Sequence, residues 1–261
     1  MSENNNLIER LFTAGAHFGF NKSRRHHSVK SFIFGSKNGT DIIDLEQTVA
    51  QIEVAKKALF EAGENGKNVL FVGTKEEAAK QVTAAAVGIE MPYVTNRWIG
   101  GMITNFSEIK KRIERLKTLV SERESGELER KYTKKERVVI GREVDKLTFN
   151  FGGIQTLDRT PAMLVVVDPR HDSIAVQEAN DANIPVVAIM SSDCDATKIT
   201  APVMVNDALT SSIELVLAEL TAAYAEGKKN YTPPPVRTRP AAGARPRRDG
   251  GDRPRRNFDR R

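Results

Sequence analysis

The sequence predicts an α/β fold built on a doubly wound parallel sheet, on three observations. Short, almost wholly apolar runs recur along the chain: NVLFVG (68–73), PYVT (92–95), AMLVVVD (162–168), PVVAIM (185–190) and PVMV (202–205). Segments of helical periodicity alternate with them, as in KEEAAKQVTAAAVG, SIAVQEANDAN and DALTSSIELVLAELTAAYAEG. Near-continuous apolar strands alternating with helices mark a parallel sheet covered on both faces. Finally, one long charged stretch interrupts the alternation between two Gly-Gly pairs, Gly100-Gly101 and Gly152-Gly153.

In chain order, residues 5–16 read as a short amphipathic helix with Leu7, Ile8 and Leu11 on one side. HFGFNKSRRHHSVK (17–30) is polar and basic and reads as loop. FIFG and TDIIDL are short strands separated by the turn signal SKNG. Asp44 or Asp41 caps a helix over 46–62, whose inward positions include Val49, Ile52, Ala55, Leu59 and Phe60. The helix after NVLFVG ends near Gly88, and the last helix ends at Gly227. Five strands in this arrangement correspond to a flavodoxin-like sheet.

The interruption has its own logic. Phe106, Ile109, Ile113, Leu116 and Val120 are spaced three and four apart, as are Ile140, Val144, Leu147 and Phe151. These are coiled-coil spacings. Thr133 and Glu136 form a capping-box pattern, and ESGELERKY supplies the turn. Residues 104–151 are therefore expected to form an antiparallel coiled-coil helical hairpin, each arm about 20 residues and roughly 30 Å long. The glycine pairs mark where the chain bends out of the sheet and back. The arm carries thirteen Lys/Arg and nine Asp/Glu. Their simpler reading is a solvated surface, their sharper one a lever against something anionic. From 228 onward Pro, Gly and Arg replace apolar periodicity, so 228–261 is expected to be a disordered basic tail appended to a domain spanning 1–227.

Charge is segregated. Of the net +6, residues 228–261 contribute +9, from twelve Lys/Arg and three Asp. Residues 10–40 hold Arg10, Lys22, Arg24, Arg25, Lys30 and Lys37 with no Asp or Glu. Segregated positive charge points to a polyanionic partner more strongly than a basic average does. The single cysteine, Cys194, forms no internal disulfide and suits a reducing cytoplasm. No signal peptide or membrane span is expected, because MSENNNLIER lacks a basic segment leading into an apolar run and no apolar run is long enough.

Enzymatic chemistry finds little support. Gly73-Thr74-Lys75 enters a helix beside a strand end, and Asp168 ends the third strand of the set. Together they are the best candidate for a phosphorylated ligand. Yet neither GxGxxG nor GxxxxGK[ST] is present. His26 and His27 lack zinc spacing, His171 reads as an exposed turn residue, and Cys194 between Asp193 and Asp195 is a poor nucleophile. Asp168, Asp193 and Asp207 end or follow strands, where capping is the commoner use. RNA chemistry remains. Lys22, Arg24, Arg25, His26, His27 and Lys30 suit phosphate contacts, as do Lys110, Lys111 and Arg115 on the arm and Arg245, Arg247 and Arg248 in the tail. Arg97 beside Trp98 pairs a cation with a stacking face, although packing at the arm's hinge is the simpler use of a lone tryptophan.

LFTAGAHFGF, FIFGSKNGTDIIDLEQT, VLFVGTKEEA, NRWIGGMITNF, YTKKE, FGGI, PAMLVVVDPRHDSIAVQEANDANIPVVAI and NDA (206–208) occur in this order over about residues 7–225. The set resembles the bacterial small-subunit ribosomal protein S2 family. The chain differs from the family pattern at Phe20, where a histidine is common, and at SSDCDA and VMVNDAL. The resemblance implies a flavodoxin-like sheet with an inserted hairpin and a structural, non-enzymatic role; no cofactor and no metal-ligating residues are expected from the sequence. It implies rRNA contacts between head and body on the solvent side of the small subunit. It also implies neighbouring ribosomal proteins as partners, a part in docking the mRNA-binding neighbour, proximity to mRNA, and a cytoplasmic location on the ribosome. The resemblance moves the reading of the arm towards function.

Overall fold

Alternation along each apolar run divides the structure into two layers on either side of one sheet. The computed structural model describes residues 2–232. In chain order the elements are α1 (Ser2–Thr13), β1 (Phe18–Asn21), β2 (Ile33–Lys37), β3 (Thr40–Ile43), α2 (Leu45–Glu64), β4 (Val69–Val72), α3 (Glu76–Gly88) and β5 (Tyr93–Val94). Then come α4 (Phe106–Glu124), α5 (Glu127–Lys131), α6 (Lys134–Phe151), β6 (Met163–Val167), α7 (Ser173–Asp181), β7 (Val186–Met190), β8 (Ala201–Met204) and α8 (Thr210–Lys229). Five of the strands form a parallel sheet in the order β5-β4-β6-β7-β8. This places the first strand of the set second from the edge and makes a topological switch between β4 and β6. Val69, Phe71, Val165, Val167, Val187 and Ile189 face α1, α2, α3 and α8. Leu70, Val72, Leu164, Val166, Ala188 and Met190 face α7, the root of the arm and the small sheet. No helix among the described residues is long and apolar enough to cross a membrane.

The N-terminal region differs from the expected loop. Residues 18–21 form β1, which joins a three-stranded antiparallel sheet in the order β1-β3-β2. The pairing is non-local, and it also depends on a tight contact. A Cβ at Gly19 would stand 3.0 Å from Ser192 Oγ and 3.3 Å from the Asp41 carbonyl. The Phe20 N–H donates to Ser192 Oγ at 2.9 Å. Of the two capping candidates for α2, Asp44 does the work, accepting from the Glu46 N–H at 3.0 Å. Asp41 serves the basic loop instead.

Gly227 does not end α8, which runs to Lys229 with Asn230 as its cap. The glycine is there for helix packing. A Cβ at Gly227 would lie 2.2 Å from the Phe60 carbonyl oxygen, and one at Gly63 would lie 2.4 Å from that of Tyr224. The backbones of α2 and α8 therefore touch at both glycines, and Tyr224 closes the end by donating its hydroxyl to the Lys67 carbonyl at 3.0 Å.

The interruption between β5 and β6 is helical. Ile109, Ile113 and Phe151 at the root of the arm belong to the body's core. Farther out, Leu116, Leu119, Ile140 and Val144 form the arm's own apolar cluster. Leu119 takes the fully buried place expected of Val120, which is only partly covered. The expected turn contains α5, whose Leu128 closes the far end of that cluster. Glu136 folds back to accept from the Thr133 N–H at 2.9 Å. Gly101 has φ +87°, and a Cβ at Gly153 would stand 2.3 Å from the Tyr93 carbonyl oxygen. These two glycines are required where the chain leaves and re-enters the body.

A single carboxylate holds that exit. Glu178, on α7 and buried, accepts from Trp98 Nε1 at 3.1 Å and from the N–H groups of Gly101 (2.8 Å), Ile103 (3.0 Å) and Thr104 (3.2 Å). The Thr104 hydroxyl adds a further donor at 3.2 Å. Burial pushes the Glu178 pKa up, but the donors from Trp98 and the backbone outweigh it and hold the carboxyl below its usual range. Trp98 is thereby a core residue at the hinge, 7% exposed, and its ring is not a free stacking face.

Two predictions follow from this packing. Glu178→Gln turns one acceptor into a donor facing donors, and costs about 3 kcal/mol in urea unfolding at neutral pH. Because the folded-state pKa is depressed, the stability from Glu178 is present above its unfolded pKa and lost as pH falls through the folded value. The wild-type advantage over the variant therefore shrinks in acid, and an advantage unchanged down to acid pH would contradict this assignment. Gly227→Ala drives a methyl into the backbone of α2 and costs about 1–3 kcal/mol by the same assay, whereas Gly88→Ala, with open space around it, is near neutral.

Candidate nucleic-acid interface

The basic N-terminal loop is a built feature rather than a free strap. Asn21 Oδ1 accepts from the Ser23 N–H at 3.0 Å and starts a 3₁₀ turn over Lys22–Arg24. A second turn spans His27–Phe32, with Val29 buried beneath it. The His26 N–H donates to the Ser192 carbonyl at 2.9 Å, and the Ala196 N–H donates to Ser28 Oγ at 3.0 Å. These bonds pin the loop to the segment that follows β7, at the C-terminal edge of the parallel sheet.

Its charges divide by use. Arg25 is committed internally: Nε lies 2.6 Å from Asp41 Oδ2, Nη2 reaches the other carboxylate oxygen, and Nη2 also donates to Ser36 Oγ at 2.9 Å. Asp41 is fully buried, and the bond from Arg25 holds its carboxyl below the usual range against the opposing effect of burial. Arg24 is half-exposed, lies over the Phe20 ring at 4.6 Å from its centroid, and bonds Asp193 at 3.2 Å. Stacking and pairing fix the direction of this guanidinium. His26 shares Nδ1 with Ser28 Oγ at 2.8 Å. Lys22, His27 and Lys30 are exposed, and none of them takes part in an ion pair among the described residues.

Arg24, Arg25 and His26 line a groove of about 1100 Å³ with Arg170, Lys198, Asp193 and Asp195. Arg170 bonds the same Asp193 oxygen, Oδ2, as Arg24, at 2.6 Å. Sequence reasoning missed Arg170 and Lys198. The available signal for Arg170 was its place in DPRH, just past the C-terminal end of β6, where open α/β sheets carry their sites. Arg97 and Lys110 are exposed at and beyond the exit of the arm. Lys111 pairs with Glu108 at 2.6 Å, and Arg115 pairs with Glu143 at 3.3 Å. These four lie outside the groove. Arg245, Arg247 and Arg248 lie outside the described residues.

The alternative site at the sheet's switch point is filled by the chain's own groups. The Thr74 N–H and hydroxyl both donate to Asp172, at 3.1 and 2.8 Å. The Lys75 ammonium lies 3.0 Å from Asp168 and 3.5 Å from Asp207. Burial lowers the Lys75 pKa, but Asp207 and Asp168 together outweigh it and raise it. Burial, then Asp168, pushes the Asp207 carboxyl up to about 7, with Lys75 opposing. Asp168, Cys194 and Asp207 bring ligand-type atoms within 4.8 Å of one another. Lys75 already pairs with both carboxylates, and burial followed by Asp168 and Asp207 drives the Cys194 thiol far above its ordinary pKa. A phosphate arriving here meets two carboxylates, with the Thr74 N–H and hydroxyl and the Lys75 ammonium already engaged. Asp193 and Asp207 thus hold cations rather than cap helices, while Asp168 also accepts from the Arg170 and His171 N–H groups at 3.2 and 3.1 Å.

The sequence profile of the family "Ribosomal protein S2" matches residues 11–227. Among similar proteins is the small ribosomal subunit protein uS2 of Nocardia farcinica, 41% identical over 220 residues that cover 84% of this chain and 77% of that one. The uS2 of Solidesulfovibrio magneticus is 41% identical over 84% of this chain and 85% of its own. That of Mycobacterium leprae is 41% identical over 84% and 79%. Since the match runs from α1 through the arm to the end of α8, the chain belongs to the ribosomal protein S2 family.

Proposed function

We propose that this protein is a structural constituent of the small ribosomal subunit and acts by binding rather than by catalysis. The observation that carries the reading is the family match over residues 11–227, which takes in the body and the whole arm. Its partners are the rRNA of the subunit and neighbouring ribosomal proteins. Contact falls between head and body on the solvent side, and the protein helps to dock the mRNA-binding neighbour, close to the path of mRNA. In bacteria this is a cytoplasmic role.

The mechanism is electrostatic and geometric. The exposed cations Lys22, His27 when protonated, Lys30, Arg97 and Lys110 are available for phosphates without first breaking an internal pair. Arg24 is oriented by Phe20 and Asp193, and offers a directed guanidinium. Arg25 is committed to Asp41, so it shapes the loop rather than reaching RNA. His26 holds the loop's fold, and Trp98 belongs to the hinge. Lys111 and Arg115 reach phosphates by exchanging exposed carboxylate partners, which costs little. The coiled-coil arm carries contacts away from the sheet, and the basic tail with Arg245, Arg247 and Arg248 adds affinity for phosphates.

Sedimentation of tagged protein with small subunits across a salt series tests this reading. Full-length chain and residues 1–227 both associate at moderate salt, and the truncated form dissociates at lower salt because fewer counterions are released on its binding. Association of neither form would remove the ribosomal role. A second expectation separates shaping from contacting residues. Lys22→Ala with Lys30→Ala lowers the salt at which the protein dissociates and leaves thermal stability unchanged, whereas Arg25→Ala strands the buried Asp41 and lowers thermal stability in the free protein.

A further inference from the structure

The outer face of α6 is unlike the rest of the arm. Ile140, Val144 and Phe151 are buried on one side, with Leu147 partly covered. At about 100° per residue, the opposite side carries Lys135, Val138, Arg142, Lys146 and Phe149, with Val139 at its border. Val138, Val139 and Phe149 are 52, 59 and 58% exposed. Single exposed apolar residues are ordinary on a protein surface. Here Val138 and Phe149 stand eleven positions apart, about 16 Å along one line, with Arg142 between them.

Charge adds to this pattern. Elsewhere on the arm some cations pair with carboxylates, as in Lys111–Glu108, Arg115–Glu143, Lys131–Glu127 and Arg137–Glu129, and others, such as Lys110 and Arg112, make no ion pair among the described residues. Among the described residues, Lys135, Arg142 and Lys146 make no ion pair, and the acid on this face is Asp145. The outward face of α4, with Lys111, Glu114, Arg115 and Thr118, offers no large apolar side chain.

We infer that the outer face of α6 docks an acidic amphipathic segment of a neighbouring protein, with Val138, Val139 and Phe149 as its apolar contacts and Lys135, Arg142 and Lys146 as its charge-matching rim. The pattern is that of a helix surface read by a second amphipathic element, with an apolar centre and complementary charges at the edge. RNA backbone satisfies the three cations but leaves the apolar line in water. A second copy of this chain sets cation against cation. An acidic protein segment meets both requirements. The inference goes beyond the ribosomal role, which requires neighbours without specifying this face.

Zero-length carbodiimide cross-linking tests it on the native particle that co-purifies with the tagged full-length chain, whatever its composition. The reagent joins a lysine amine to a carboxylate only where the two are in contact. The expected result is an amide between Lys135 or Lys146 and an Asp or Glu of one neighbouring protein. Its yield falls at least about ten-fold in the variant Val138→Asp/Phe149→Asp, and is unchanged by Val54→Asp, an exposed position on α2. Amides formed only within the chain, cross-links of this face to rRNA, or lysines acetylated as readily in the particle as in the free protein would overturn the inference. The ribosomal role is judged separately, from the composition of the particle, so the two fail distinguishably.

Discussion

The Glu178 carboxylate is the joint on which the architecture turns. An arm that leaves a sheet needs a loop that buries polar backbone, and buried N–H groups must be satisfied. Here one side chain from α7 collects the N–H groups of Gly101, Ile103 and Thr104 together with the Trp98 indole. The exit loop is thereby fastened to the layer that covers the sheet, while Gly153 brings the returning chain against Tyr93. Ile109, Ile113 and Phe151 continue the body's core into the arm, so the lever is rooted in packing as well as in hydrogen bonds. A buried carboxylate with this many donors is costly to disrupt and directional, which suits a part whose task is to hold an angle.

The second consequence of the fold concerns the crevice at the C-terminal edge of the sheet. In open α/β folds this is where ligands bind. In this chain the three-stranded sheet reaches that edge through the bond from Phe20 to Ser192, and Lys75 bonds both Asp168 and Asp207. Positive charge that would otherwise hold a ligand is neutralised internally. Lys22, Arg24 and Lys30 on the loop above are presented outward instead, with Arg24 braced by Phe20 and Asp193.

Much of this was legible in the sequence because it is local. The apolar runs of β4, β6 and β7 announce a buried parallel sheet, and the spacing of Ile109, Ile113 and Leu116 announces the arm. What escaped depends on distant partners. β1 exists because Gly19 and Phe20 meet Asp41 and Ser192, a pairing that no window of sequence contains. Gly227 reads as a helix stop until Phe60 is seen against it. In the candidate interface, the clustering of Lys22, Arg24, Arg25 and Lys30 was visible, but the division of labour was not. Asp41 committing Arg25 and Glu178 committing Trp98 are tertiary facts. The same holds for Arg170, which joins Arg24 on Asp193 only once β6 and β7 are side by side.

Through its bonds to the exit loop, Glu178 sets the direction of the arm from the body. Distances between spin labels at Ser125, at the tip, and Lys37, exposed on the small sheet, test it directly, because the one native thiol, Cys194, is buried and does not compete for the label. A narrow distance distribution is expected in the otherwise wild-type protein and a broadened one when Glu178→Gln is added. A broad distribution with Glu178 intact, or the same narrow one without it, would contradict this role.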